Sequence, residues 1–254
     1  MRSVLLLLLA TVGCKKAVDA PDSLEEIMVF GFVHLEDPAS MEQVALDLPG
    51  LVDQNAEQLG FGYRVDSLTA ADVTAAGAPG DFEEIVGGLG AYSYSNPIDA
   101  VLDAVSHPHK DELFENTLTY TIDDDGNREC FLARECDSYR FTATQVSQQP
   151  LIGEITQTFD QHFVWVAHPD GDRIACRVLA PDPIDISSGL AAIDRQFSFF
   201  LMRPLPDGGT ERVEAMWAEA RLLGIDIPDG NLIDILVGAM SEQANRVDDW
   251  IEGT

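Results

Sequence analysis

The chain has 254 residues, which is enough for one large domain or two small ones with a buried core. It carries 44 acidic against 15 basic side chains, a formal charge of −29 at pH 7. A surface this acidic repels phosphate groups, which excludes nucleic acid as a partner and disfavours contact with anionic lipid headgroups. The simplest interpretation of the charge is solubility and repulsion between like-charged neighbours.

The first sixteen residues, MRSVLLLLLATVGCKK, have the pattern of an export signal. Arg2 precedes an apolar run over residues 4–10, and small residues lead up to Cys14. The run is too short to span a bilayer, which needs ~20 apolar residues. Such a signal could be cleaved with lipid added to Cys14, cleaved without lipid, or kept as an uncleaved anchor.

This segment resembles the signal of a bacterial lipoprotein, in which the lipobox cysteine is acylated and becomes the new N-terminus. Thr11 stands where that family usually has Leu. The resemblance implies a signal peptide over 1–13, a lipid-anchored tether over 14–22, and a membrane partner reached through an acyl group on Cys14. Because Lys15 follows the cysteine, it also implies the outer membrane, on its periplasmic side or at the cell surface. The cleaved chain would hold 14 basic against 44 acidic residues, a formal charge of −30.

Three cysteines remain after Cys14. Disulfides persist in an exported protein. Cys130 and Cys136 are close enough in sequence to close a small ring, which would leave Cys176 alone, while a bridge from Cys176 to either of them is the alternative. No histidine or further cysteine follows at the short spacing of a metal site. We therefore predict a disulfide between Cys130 and Cys136.

The first part of the folded region, residues 23–80, is predicted to be a helical layer. Ser23 and Glu26 have capping-box spacing, and the apolar run 27–35 after them fits a helix or a buried strand. A second helix is predicted after Pro38, and a short Ala-rich helix ends near Gly77.

The character of the chain changes over residues 81–254. A Gly-rich extended stretch over 85–94 is followed by an amphipathic helix that begins at Asn96-Pro97. Asp-Gly pairs at Asp125, Asp170 and Asp207 then separate runs in which apolar and polar residues alternate, the pattern of successive hairpins. Consecutive hairpins predict an antiparallel sheet with one buried face and one face in water.

The strongest single pattern is a C-terminal helix from Asn231 to Ile251. Its apolar residues recur at spacings of three and four, and its length of about 30 Å is enough to cross a sheet. We expect one face to pack on the sheet, formed by Leu232, Ile235, Leu236, Ala239, Met240 and Val247.

The order of elements over residues 88–254 resembles the START-like helix-grip (SRPBCC) superfamily. The stretch 92–120, with its Asn-Pro-Ile-Asp-Ala-Val-Leu start and its His-Pro before a second short helix, resembles the opening unit of that fold. The resemblance implies an α+β fold in which a curved antiparallel sheet grips the long C-terminal helix and leaves a hydrophobic cavity between them. The helical layer over 23–80 lies outside it.

No motif of a known catalytic site occurs. A nucleophile elbow, a Walker loop, a Rossmann glycine fingerprint and HExxH are all missing from the sequence, so no catalytic residue is assigned and an enzyme is not favoured. His107, His109 and Asp111 form an HxHxD group, and residues 123–127 are acidic, but a helix end and a hairpin turn explain them better than a metal. We expect no metal and no cofactor.

Aromatic residues recur along the predicted strands and have two interpretations. They form either an ordinary core or the wall of a ligand cavity, where Gln157, Gln161 and Glu219 would be the polar interruptions. The candidate ligand-binding residues are Phe159, Phe163, Trp165, Phe197, Phe199 and Trp217 on strands and Leu236 and Met240 on the last helix.

Two functions follow from these patterns. The first is a membrane-anchored lipoprotein that binds a hydrophobic small molecule or lipid between the sheet and the C-terminal helix. The alternative is a surface or periplasmic protein-interaction module whose sheet is filled by its own side chains. A cavity of ligand size favours the first.

Overall fold

The structure is a computed structural model that describes residues 19–59, 63–82, 84–124, 126–149 and 153–253. The predicted signal peptide over 1–13 and the proposed acylation site Cys14 lie outside the described residues. Of the predicted tether over 14–22, the structure describes residues 19–22.

Within these ranges the chain forms eight helices and ten strands. The helices are α1 (Leu24–His34), α2 (Pro38–Gln54), α3 (Ala56–Leu59), α4 (Ala70–Ala75), α5 (Ile98–Val105), α6 (Lys110–Leu113), α7 (Arg128–Leu132) and α8 (Asp229–Gly253). The strands are β1 (Tyr63–Thr69), β2 (Glu84–Tyr94), β3 (Thr117–Asp124), β4 (Ser138–Gln149), β5 (Gly153–Val166), β6 (Arg173–Ala180), β7 (Asp185–Ile186), β8 (Ala191–Pro204), β9 (Thr210–Leu222) and β10 (Ile225–Asp226).

All the strands belong to one antiparallel sheet. Eight of them follow the order β1-β2-β9-β8-β6-β5-β4-β3, while β10 pairs with β9 and β7 pairs with β5. The predicted hairpins account for most neighbours, since β3 to β6 are adjacent in sequence and in space, as are β8 and β9. The long helix α8 follows the last strand, so the predicted α+β fold of an antiparallel sheet with a C-terminal helix is confirmed.

The N-terminal helices cover one face of this sheet, which we call the α1 face. The run 27–35 is helical, and Ser23 caps it by accepting a hydrogen bond from the backbone N–H of Glu26 at 3.2 Å. Phe32 of α1 packs on Trp217 of β9, with ring centroids 5.6 Å apart. A Cβ at Gly31 would lie 2.5 Å from the ring of Phe199, so only glycine lets α1 approach β8 this closely.

The part of the chain before residue 80 also contributes a strand. β1 pairs antiparallel with β2 at the edge of the sheet. The buried residues of α1, α2 and β1 lie in the same core cluster as Phe197 and Trp217 of the sheet. The boundary between a helical layer and a sheet domain at residue 80 stays a prediction. In the structure, the residues before 80 include the strand β1 and share a core with the sheet.

The other face of the sheet, which we call the cavity face, is partly covered by α8. Gly88 of β2 makes room for the helix, because a Cβ there would lie 3.3 Å from Ile233 of α8. The hydroxyl of Tyr92 donates a hydrogen bond to the carbonyl of Val237 at 3.2 Å and fixes the helix along β2. Among the described residues, no helix combines the length and apolarity needed to cross a bilayer.

The predicted apolar face of α8 is correct at four of its six positions. Its buried residues are Leu232, Ile233, Leu236, Met240, Ala244 and Val247. Ile235, predicted to pack on the sheet, is 54% exposed, and Ala239 is also exposed. The helix is rotated so that Ile233 and Ala244 take the buried positions, because it packs against β2 and α5.

Cys130 and Cys136 pair with each other, as the spacing predicts. Their Cα atoms lie 5.4 Å apart and their sulfur atoms are at disulfide distance. The short helix α7, which no sequence pattern predicted, carries Cys130 and buries Phe131. Cys176 is a free thiol buried in β6.

Candidate functional site

A cavity of about 270 Å³ lies on the cavity face between the sheet and helices α6 and α8. This is close to the lower end of the ~300–1,000 Å³ range of small-molecule pockets. Its apolar lining consists of Phe114, Phe159, Val178, Ala180, Phe200, Met216 and Ala239. Its polar lining is larger and consists of Lys110, Asn116, Thr117, Gln145, Ser147, Gln149, Gln157, Gln161, Gln196, Ser198, Arg212, Glu214, Glu242, Gln243 and Arg246.

Five of these polar residues form what we call the polar floor of the cavity. They line it although the exposed fraction of each is only between 2 and 6%, and they are Lys110, Gln161, Ser198, Arg212 and Glu214; Thr117 of the lining, outside this group, is also 6% exposed. Polar groups this deep are normally satisfied by partners inside the protein. A floor of this kind is where a ligand's polar group would be recognised.

Strand pairing explains how the polar floor is assembled. Gln161, Val178, Ser198 and Met216 form one row across four neighbouring strands, β5, β6, β8 and β9. Phe200 and Glu214 are paired in the next row, where Glu214 faces Gly90 of β2. Because Gly90 has no side chain, the row leaves open space beside Glu214 that Tyr92 enters.

Arg212 and Glu214 form a buried ion pair in the polar floor. Their Nη2 and Oε2 atoms lie 2.7 Å apart, and the guanidinium of Arg212 stacks 4.1 Å from the ring centroid of Phe200. Burial lowers the pKa of Arg212, but the Glu214 carboxylate and Tyr94 raise it by more, so the guanidinium stays charged. The Nε atom of Arg212 has no hydrogen-bond partner among the described residues.

Lys110 enters the cavity from α6, beside this pair. Its Nζ lies 5.5 Å from the ring centroid of Tyr120. Burial lowers the pKa of the Lys110 ammonium from 10.5 to about 8, with a further decrease from Arg212. Burial also raises the pKa of the nearby Cys176 thiol to about 12, so Cys176 remains protonated and is no nucleophile at neutral pH.

The predicted ligand-binding residues are divided among three places. Phe159 lines the cavity, and Leu236 and Met240 pack beside it against the lining residue Met216. Phe163 and Trp165 do not line this cavity. They pack with α5 and α7 in the same core cluster as Phe159, and Trp165 donates a hydrogen bond to the carbonyl of Phe131 at 2.9 Å.

Phe197, Phe199 and Trp217 lie on the α1 face and do not line this cavity. Their assignment to its wall is corrected here. Neighbouring residues in a strand point to opposite faces, so Ser198 and Phe200 face the cavity while Phe197 and Phe199 face α1. Both faces of this part of the sheet are buried, and the apolar pattern alone does not distinguish them. Of the predicted polar interruptions, Gln157 and Gln161 line the cavity and Glu219 pairs with Arg195 elsewhere.

Lys110, Arg212 and Glu214 are not among the site residues that the sequence patterns predict. One signal was available for Lys110, because the only other lysines of the chain are Lys15 and Lys16. A single lysine in a folded region with more than forty acidic residues is unusual enough to indicate a special position. Arg212 and Glu214 alternate with apolar residues along β9 and look like an ordinary exposed face in sequence.

A second, larger cavity of about 710 Å³ lies near the end of α1, on the surface of β4 and β5. Its carboxylate Glu36 is already satisfied by neighbouring basic side chains. Glu36 contacts Arg140 at 2.6 Å, Arg177 at 3.1 Å and His162 at 3.5 Å. Burial raises the pKa of Glu36, but these three groups together lower it by more, so the net pKa is below the usual value and the carboxylate stays ionised. The smaller cavity is the better candidate because Lys110 in its lining has no ion-pair partner among the described residues.

No protein-family model matches the chain, and no curated protein matches it. Similar solved structures include a START superfamily protein from Mycobacterium smegmatis, with 12% identity and a TM-score of 0.44 over 66% of this chain and 97% of that one. Zhui aromatase/cyclase from Streptomyces sp. R1128 is similar with 15% identity and a TM-score of 0.42, over 66% and 94% of the two chains. A protein from Thermus thermophilus, TTHA0849, has 15% identity and a TM-score of 0.37, over 65% and 93%. At these values the similarities carry no information on ligand or activity.

Proposed function

We propose that this protein binds a small amphipathic molecule in the cavity between the sheet and α8. The observation that carries the proposal is the polar floor, whose buried charged and polar side chains line an otherwise partly apolar space. The phenyl rings of Phe114, Phe159 and Phe200 supply the apolar contact.

The sequence predicts a hydrophobic ligand, and the mixed polar and apolar lining of the cavity favours an amphipathic one. Six glutamines line the cavity, at positions 145, 149, 157, 161, 196 and 243. A purely apolar molecule would displace water from these amides and from Lys110 without replacing its hydrogen bonds, which is unfavourable for polar groups. A molecule with a polar end toward the floor and an apolar body along Phe159 and Met216 satisfies both parts. The cavity favours this function over an interaction module whose sheet is filled by its own side chains.

Filling the cavity tests the proposal. We expect Ser198→Phe to weaken binding of 2-naphthol, a small fluorescent amphipathic probe, by at least tenfold, because the new ring occupies cavity space beside Val178 and Met216. The matched control is Ser93→Phe, at an exposed serine of β2, which should leave binding unchanged. Circular dichroism would verify that both variants are folded. Equal probe affinity in all three proteins, or no saturable binding to the wild type, would contradict the proposal.

Export and acylation at Cys14 belong to the same proposal. They are supported by the signal-like pattern of residues 1–16 and by the disulfide between Cys130 and Cys136, a bond typical of oxidising compartments. We expect the wild type expressed in a two-membrane bacterium to incorporate labelled palmitate and to sediment with the outer membrane. Cys14→Ser should lose the label, whereas Cys176→Ser, the control, should keep it. A wild type that takes up no label would end the lipoprotein proposal and leave cavity binding unaffected.

A further inference from the structure

Lys110 is a buried cation without a counter-ion. It is the only lysine after residue 16 and is 6% exposed. Among the described residues, its Nζ makes no hydrogen bond or ion pair. It makes a cation–π contact with the ring of Tyr120. Buried ammonium groups are normally paired, because removing one from water without a partner is strongly unfavourable.

The groups that face Lys110 do not neutralise it. They are Arg212 and Glu214 on β9, Cys176 on β6 and Tyr120 on β3. Cys176 and Tyr120 are uncharged at neutral pH, and Glu214 is already paired with Arg212 at 2.7 Å. If the pair is ionised, the floor keeps one positive charge from Lys110, and if Glu214 is protonated the floor has two.

The positive charge of the polar floor contrasts with the negative charge of the rest of the molecule. The chain as a whole carries a formal charge of −29, so its long-range field repels anions. Anionic side chains were therefore abundant as partners for Lys110, yet among the described residues only Glu214 faces it, and Glu214 is paired with Arg212. Beyond about 8 Å salt screens the surface charges, whereas a buried ammonium acts at close range in a less polar medium.

We propose that Lys110 binds the anionic group of the ligand, so that the molecules recognised by this cavity are small amphipathic organic acids, with a carboxylate at the polar floor. The proposal rests on the proposed function and specifies its ligand class. Ser198 and Gln161 supply neutral hydrogen-bonding groups in the lining of the same cavity, and the Nε of Arg212 is a further donor without a partner among the described residues. The apolar body of the acid lies along Phe114, Phe159 and Met216.

A pair of isosteric probes tests this proposal. 2-Naphthoate and 2-naphthamide have the same ring and nearly the same size, but only the first is charged. We expect calorimetry at pH 7 to show at least tenfold tighter binding of naphthoate to the wild type. Lys110→Met should abolish this preference while leaving naphthamide affinity within about twofold. Lys110→Arg, which keeps the positive charge, should retain a preference for naphthoate.

A second measurement reads the contact at Lys110 directly. In protein labelled with ¹³C-lysine, the ε-carbon of Lys110 reports its protonation, and Lys110→Met identifies its signal against those of Lys15 and Lys16. Naphthoate should raise the pKa of Lys110, because a carboxylate stabilises the ammonium, and naphthamide should not.

The outcomes separate the two proposals. If both probes bind equally and Lys110→Met changes neither, the anion-binding role of Lys110 is wrong while cavity binding stands. If neither naphthoate, naphthamide nor 2-naphthol binds, the proposed function is wrong and the role of Lys110 is wrong with it. If naphthoate binds tightly but leaves the Lys110 signal unchanged, the carboxylate is bound elsewhere and the role of Lys110 is again contradicted.

Discussion

Trp217→Ala is expected to lower the free energy of unfolding by about 3 to 5 kcal/mol, the usual range for removing a large buried aromatic ring. Trp217 is 0% exposed, and on the α1 face of the sheet it packs on Phe32 of α1. Its indole N–H donates a hydrogen bond to the carbonyl of Asp66 at 2.8 Å, so the alanine variant would also leave that carbonyl without its donor. Gly87 of β2 leaves the space that the ring fills, because a Cβ there would overlap the indole.

Urea denaturation of the wild type and Trp217→Ala measures this effect. The control is Trp250→Ala, at a half-buried tryptophan near the end of α8, which should lose clearly less stability. Since Trp217 lies on the α1 face, its removal should leave 2-naphthol affinity unchanged at a temperature where the variant is folded. A loss of stability no greater than in Trp250→Ala, or a loss of probe binding with full stability, would contradict the assignment of Trp217 to the α1 face.

Lys110→Met is expected to raise the free energy of unfolding by about 3 kcal/mol at pH 7. Burial lowers the pKa of Lys110 from 10.5 to about 8, and each pKa unit corresponds to ~1.36 kcal/mol. Below pH 8 the amine is protonated in both the folded and the unfolded chain, so the full unfavourable contribution is present. A methionine of similar length removes the charge and fills the space.

The sign of the pH dependence follows from the same pKa. Between pH 8 and 10.5 the unfolded chain keeps the proton of Lys110 and the folded chain loses it, so the contribution of Lys110 to stability becomes more favourable as the pH rises. The advantage of Lys110→Met should therefore shrink between pH 7 and about pH 10. Taking the difference between the two proteins at each pH removes the contributions of groups that titrate alike in both. A variant less stable than the wild type at pH 7, or an advantage independent of pH, would contradict this account.

A stabilising substitution at a buried position would also agree with a functional role for Lys110. Sites that recognise ligands often retain groups that are unfavourable for folding. In this protein the unfavourable group and the polar floor of the cavity coincide, which is why loss of naphthoate preference and gain of stability are expected in one and the same variant.

Local sequence patterns are sufficient to predict several elements of the fold. The Ser23 cap is followed by α1, and Asp-Gly pairs such as Asp170-Gly171 and Asp207-Gly208 separate the strands they were expected to separate. The stripe along α8 and the Cys130–Cys136 spacing also predicted what is observed, except at Ile235 and Ala239. Caps, turns and helical stripes depend on residues close together in sequence, so their physical causes are visible there.

By itself, then, the sequence determined the kind and order of most elements, with β1 and α7 as exceptions, the acidity of the surface and the presence of one lysine in the folded region. Only the tertiary structure decided which side of each strand faces the cavity and where that lysine lies. The period of a strand is two whichever face is covered, and α1 covers the face of Phe197, Phe199 and Trp217, leaving Ser198 and Glu214 to the cavity. The fold of the chain around the sheet brings Lys110 close to Arg212 and Glu214. These residues are about a hundred positions apart, so no local sequence pattern predicts their proximity.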